Sequence, residues 1–296
     1  MTETLSALQD ALRAGRTTSE ALVEGALARA GTGEGPRVFT RLYGDRALAA
    51  ARASDLMRQA GFVRSPLEGL PISIKDLFDV AGETTRAGST ALDDAPAATA
   101  NAPVVERLLA AGAVLVGRTN MTEFAFSGLG INPHYGTPLN PYDRAAARIP
   151  GGSSSGAAVS VTDGMAAGAI GTDTGGSVRI PSALCGIAGF KPTARRVPRE
   201  GCLPLSTSLD SIGPLAPSLS CCALLDAVLS GSGEGIPARA DIAGLRLAVP
   251  TTLALDGVDE TVATAFRRAL DALSKAGARI SEIAVPEFGA LAGLQA

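Results

Sequence analysis

Residues 150–192 read PGGSSSGAAVSVTDGMAAGAIGTDTGGSVRIPSALCGIAGFKP, and no other stretch limits the fold so tightly. Its crowding with Gly, Ser and Ala is the composition of a flexible linker. Val159, Val161, Met165, Ile170, Val178, Ile180 and Ile187 are nevertheless spread through it. Flexible Gly/Ser linkers carry no such apolar series. Small side chains among apolar ones let backbones approach closely, and glycine reaches conformations closed to other residues. The tract therefore predicts a buried helix after Ser155 and a tight loop from Asp173 to Ser177.

The flanks read as alternating strands and helices. GLPISI, from Gly69, is a short apolar run that predicts a buried strand ending near Lys75. Asn101 to Ala111 reads as a helix stopped by Gly112, followed by the strand AVLV. Later, GLRLAVP, a helix containing Val262, Phe266, Leu270 and Leu273, and the strand ARISEIAV repeat that pattern. Strands alternating with helices place the chain in the α/β class, with a sheet covered on both faces. At the start, Thr17 and Glu20 have capping-box form, and Leu22, Val23, Ala26, Leu27 and Ala30 follow at helical spacing. A second helix is expected from Arg46 to Ala60. These elements form an N-terminal helical cover over 1–62 without concentrated chemistry. With 296 residues and 46% apolar content, the chain fills one core, read as a single domain over 1–296.

The formal net charge is −3, and Lys and Arg are scattered. Neither nucleic acid nor a membrane is therefore expected as a direct partner. The N-terminus lacks the features of a secretory signal, and no apolar run is long enough for a membrane span, which predicts a soluble, cytoplasmic protein. Cys185, Cys202, Cys221 and Cys222 have neither metal-site spacing nor a secreted framework, and read as structural thiols.

A hydrolase nucleophile needs a base within reach and donors for the developing oxyanion. The one histidine, His134, lies in INPHYGTPLNPYD, a loop-forming context. It reads as a hydrogen-bonded surface residue or as a base folded back onto a site. Lys75 is the other candidate base, if burial lowers its pKa from about 10.4. The competing reading pairs its ammonium with Asp76 or Asp79, and the sequence leaves both open. The loop GTDTGGSV offers consecutive backbone N–H groups at Thr174, Gly175, Gly176 and Ser177, suited to an oxyanion. A phosphate nest is the rival reading, but neither a Walker pattern nor a dinucleotide fingerprint is present.

At these residues the sequence resembles the amidase signature family. GGSSSG at 151–156, GTDTGGSVRIP at 171–181, CG at 185–186 and FKPT at 190–193 match its signature in order and spacing, and GLPISIKD resembles its lysine motif. The resemblance implies a mixed central sheet sandwiched by helices, with 69–200 as the catalytic signature core. It implies Ser177 as nucleophile, Ser153 as bridging serine and Lys75 as base, a serine-lysine variation on triad logic. Thr174, Gly175 and Gly176 would form the oxyanion hole. Asp173 and Arg179 would hold the loop's shape. The segment TNMTEFAFSG would line the acyl side, with Ala125 and Ser127 as substrate contacts. No metal, nucleotide or organic cofactor is implied, and a homodimer is the family-based expectation. Ser155 and Ala157 depart from the usual signature, which has glycine and serine there. Family members also continue past the point where this chain stops, so a C-terminal part of the fold is expected to be missing. The expected activity is cleavage of a carbon–nitrogen bond in a small-molecule amide. The alternatives are the A subunit of the tRNA-dependent amidotransferase and a non-catalytic amide-binding module.

Overall fold

The computed structural model describes residues 3–233 and 235–291. They group into two compact units, Met1–Ile236 and Pro237–Ala296.

The first unit opens with α1 (Leu5–Arg13) and α2 (Ser19–Ala30). The cap of α2 is Thr18, whose hydroxyl accepts from Ala21 N at 3.1 Å, and not Thr17. Glu20 does not close a capping box. Asp55 already accepts the N–H groups of Ser19 and Glu20, at 2.8 and 2.9 Å, satisfying two of the donors that a helix start exposes. The Glu20 carboxylate instead pairs with Arg52 at 2.6 Å. Then follow α3 (Gly35–Val38), β1 (Phe39–Leu42) and α4 (Gly44–Gln59), so a strand interrupts the cover that was expected to be helical.

The remaining elements of this unit are β2 (Pro71–Lys75), α5 (Pro103–Ala110), β3 (Val114–Thr119), α6 (Ser155–Thr162) and β4 (Gly168–Asp173). They are followed by α7 (Arg179–Cys185), β5 (Ala188–Gly189), β6 (Ser211–Ala216) and α8 (Leu219–Ser230). The strands form one sheet in the order β1-β3-β2-β4-β6-β5. β2 runs parallel to β3 and β4, whereas β1, β5 and β6 pair antiparallel to their neighbours. The sheet is therefore mixed, as expected. Every residue of β2, β3, β4 and β6 is buried. Successive strand side chains point to opposite faces, so both faces of this centre are covered.

The Gly/Ser/Ala tract supplies α6, in which every residue except Thr162 is buried. Its small side chains allow the close approach that burial on all sides demands. A Cβ on Gly156 would stand 2.4 Å from Val38 O and 2.8 Å from Asn120 N. The Gly156 N–H donates to Asn120 O at 2.9 Å, which ties α6 to the end of β3.

The second unit holds β7 (Arg246–Pro250), α9 (Glu260–Lys275), β8 (Arg279–Ile283) and α10 (Pro286–Leu291). β7 and β8 pair in parallel, with Leu247 opposite Ile280. Asp259 caps α9 by accepting from Val262 N at 3.0 Å. Val249 is the one buried residue of the two strands, and α9 has none.

Candidate active site

Lys75 is the last residue of β2, and its side chain is fully buried. Its Nζ donates to Ser153 Oγ at 2.7 Å and to Thr172 Oγ1 at 2.9 Å. The two aspartates that could have paired with it are otherwise engaged. Asp76 accepts from Arg118 Nε at 2.7 Å in a pair buried on both sides. Asp79 accepts from Thr85 Oγ1 at 2.6 Å. Among the described residues, no carboxylate lies within ion-pair distance of Lys75. Burial, which penalises the charged form, pushes its pKa down to about 7; the negative charges of Asp173 and Asp210 oppose that shift. Cys202 also lies close, but burial pushes its thiol up to about 12, so it is neutral at pH 7.

Ser153 stands just ahead of α6, after a cis peptide bond from Gly152. Its carbonyl accepts from Thr122 N at 3.0 Å. The next residue, Ser154, donates its N–H to the Ser177 carbonyl at 3.2 Å, which brings the two serine segments together. Ser177 is 7% exposed, whereas Ser153 and Lys75 are at 0%. Of the three, Ser177 is the one that solvent reaches.

The loop from Asp173 to Ser177 joins β4 to α7. Gly176 takes φ +137°, a conformation that side-chain-bearing residues rarely adopt. Asp173 closes the loop on itself, accepting from Val178 N at 3.1 Å and from Arg179 Nη2 at 2.8 Å. Burial opposes ionisation of Asp173. The hydrogen bonds from Arg179 and from the Val178 and Arg179 amides outweigh it and hold the carboxyl below its ordinary range. Among the described residues, none accepts from the N–H of Gly175, Gly176 or Ser177. Those donors remain available to a developing anion.

His134 lies apart from this cluster. Its ring nitrogens bond Glu123 Oε1 at 2.8 Å and Thr90 Oγ1 at 3.3 Å. Ser127 is exposed and lines a cleft of 690 Å³ with Thr122, Phe126, Ile131, Leu203 and Leu205. Ala125 is buried, has φ +60°, and is not among the residues of that cleft.

Three contributors escaped the sequence. Thr172 holds Lys75, Thr122 holds the Ser153 carbonyl, and Asp210 accepts from the Thr174 hydroxyl. Only Thr172 carried a signal, because it lies inside the motif on a strand adjacent to β2. Among the described residues, no group of three His, Cys, Asp or Glu could hold a metal ion, and no helix is long and apolar enough to cross a membrane.

A family profile described as Amidase matches residues 21–293. The A subunit of glutamyl-tRNA(Gln) amidotransferase from Chloroflexus aggregans is 42% identical over 96% of this chain and 60% of its own length. The 2-amino-5-chloromuconic acid deaminase of Comamonas testosteroni is 44% identical over 82% of this chain and 53% of its own. A crystal structure described as an amidase superposes with a TM-score of 0.87 at 40% identity, covering 96% of this chain and 64% of that one. The chain thus spans about 60% of the length of the amidotransferase subunit.

Proposed function

The chain belongs to the amidase family, and on that premise we propose that it hydrolyses a carbon–nitrogen amide bond of a small molecule through Ser177, Ser153 and Lys75. The observation that carries this reading is a fully buried lysine, 2.7 Å from a serine hydroxyl and without a carboxylate partner among the described residues. With a pKa of about 7, that lysine is substantially neutral at physiological pH and can accept a proton.

Ser177 Oγ attacks the amide carbon as its proton passes to Ser153 and the Ser153 proton passes to Lys75. The carbonyl electron pair moves onto oxygen, where the N–H groups of the Thr174–Gly176 loop stabilise the charge. Collapse of the tetrahedral intermediate breaks the C–N bond. Lys75 returns its proton through Ser153 to the leaving nitrogen, which departs as ammonia or an amine. Water then attacks the Ser177 ester by the same relay, releasing the carboxylic acid and restoring the serine.

The test is intact-protein mass spectrometry after exposure to a fluorophosphonate. A single adduct that disappears in both Ser177→Ala and Lys75→Ala is the expected result. A folded wild-type chain without an adduct overturns the catalytic reading and leaves an amide-binding module. A second reading is supported by identity to the amidotransferase subunit across 96% of this chain. In that reading the amide is glutamine and the ammonia passes to a partner subunit. Glutamine turnover together with co-purification of such a partner would decide for it.

A further inference from the structure

Asp210 precedes β6 and is buried at the junction of three segments. Its Oδ1 accepts from the Thr174 hydroxyl, in the loop that carries the free N–H groups. Its Oδ2 accepts from Leu205 N at 2.9 Å and Ser206 N at 3.0 Å. Arg199 donates to the Asp210 backbone carbonyl at 3.2 Å and not to the carboxylate. Asp210 also lines a cavity of 510 Å³ together with Cys202 and Thr172, whose hydroxyl accepts from Lys75.

The acidic groups around Lys75 differ in what balances them. Asp173 is paired with Arg179, and Asp76 with Arg118. The Cys202 thiol is neutral at pH 7. Among the described residues no cation lies within ion-pair distance of the Asp210 carboxylate, and its charge joins the larger one of Asp173 in opposing the effect of burial on Lys75.

Resting on the Ser-Ser-Lys reading above, we propose that Asp210 is a positioning residue for both halves of the reaction: it fixes the oxyanion loop through Thr174, and its carboxylate, in the cavity it shares with the lysine's partner Thr172, helps Lys75 to hold its proton. A lysine beside a negative charge holds its proton to higher pH. Removing that charge frees the base at lower pH, while removing the Thr174 hydroxyl loosens the loop and leaves the lysine alone.

The experiment measures the rate of fluorophosphonate adduct formation at Ser177 across pH, by intact mass, for the wild-type chain, Asp210→Asn and Thr174→Val. Circular dichroism checks that each is folded. Thr174→Val should acylate about tenfold more slowly at every pH, a loss within the range that small misplacements around a reacting centre produce. Its acid limb should stay where the wild type has it. Asp210→Asn should slow acylation and also move the acid limb to lower pH, which a merely structural role would not do. A folded Thr174→Val that reacts at the wild-type rate, or a folded Asp210→Asn with an unmoved limb, overturns the proposal while the Ser-Ser-Lys reading stands. If Asp210→Asn does not fold, Asp210→Ser is read in its place for both the rate and the position of the acid limb, with the same outcomes deciding. A wild-type chain that forms no adduct overturns the reading itself and the proposal with it.

Discussion

The chain contains two parallel strand pairs joined through a helix, β2–α5–β3 and β7–α9–β8, and they are buried to opposite degrees. Every residue of β2 and β3 is inaccessible, whereas of the residues of β7 and β8 only Val249 is buried. Their sequences explain part of the contrast. PISIK and VLVGRT open with near-continuous apolar runs, suited to strands covered on both faces. RLAVP places Leu247 and Val249 on one face, while RISEI splits its two isoleucines between faces and shares them with Arg279, Ser281 and Glu282. The rest is a matter of layers. Four further strands extend the first pair into a sheet, and α9 turns Leu270 and Leu273 inward while Val262 and Phe266 remain 55% and 39% exposed. A strand-helix-strand signature in sequence therefore announces the local motif. How deeply it is buried depends on what stacks above and below it.

That contrast can be broken most forcefully at Lys75. Lys75→Met should reduce amide hydrolysis by about 10⁴-fold or more, the scale on which members of a triad act. The same substitution should stabilise the fold at neutral pH and below. The folded-state pKa of about 7 lies under the unfolded value. Between that pKa and the usual lysine range near 10.4 the unfolded chain binds more protons, so stability rises with pH across that window. Thermal melts at several pH values should show this slope in the wild type and a flatter one in Lys75→Met. A variant that melts lower at pH 6 would mean that the lysine is not under strain from burial.

Next in size is Arg118→Met, inside β3. It would leave Asp76 buried without its cation and Glu83, 3.6 Å from Arg118 Nη1, without its nearest one inside the core. Breaking such a pair costs about 3–5 kcal/mol, readable in a urea titration. The smallest effect should come from the second unit. Phe266→Ser, on the exposed side of α9, should change stability by less than about 0.5 kcal/mol. A loss of several kcal/mol there would show that the second unit hides an apolar surface as the large sheet does.

What the sequence disclosed was whatever is written locally. The tract from Pro150 to Pro192 announced a buried helix and a tight loop, and α6 and the Asp173–Ser177 turn follow it. β2, β3, β7 and β8 were legible for the same reason, each being a short apolar run between breakers. What remained hidden depends on partners distant in sequence. β1 lies in a stretch read as helical and becomes a strand because the edge of β3 is there to pair with it. The cap of α2 is Thr18 and not Thr17, and Asp55, from α4, takes the N–H groups of Ser19 and Glu20 beside it. At the candidate site, the contest over Lys75 could not be settled from its own neighbours. Arg118, which occupies Asp76, sits 43 positions away from Lys75 and one strand over in the sheet. Asp210 and Thr122 were invisible for the same reason, since their roles exist only once Asp210 is folded against Thr174 and Thr122 against Ser153.

The close packing of α6 has an implication for mutational scanning. Compositional filters discard repetitive Gly/Ser/Ala stretches as uninformative, and substitution there is commonly assumed to be harmless. In this protein a saturation library should show the reverse ordering. Even a single added methyl at Gly156 meets backbone at 2.4 Å, whereas large changes on α9 meet solvent. The plainest-looking stretch of the chain should therefore have the steepest fitness landscape, and the more varied C-terminal sequence the flattest.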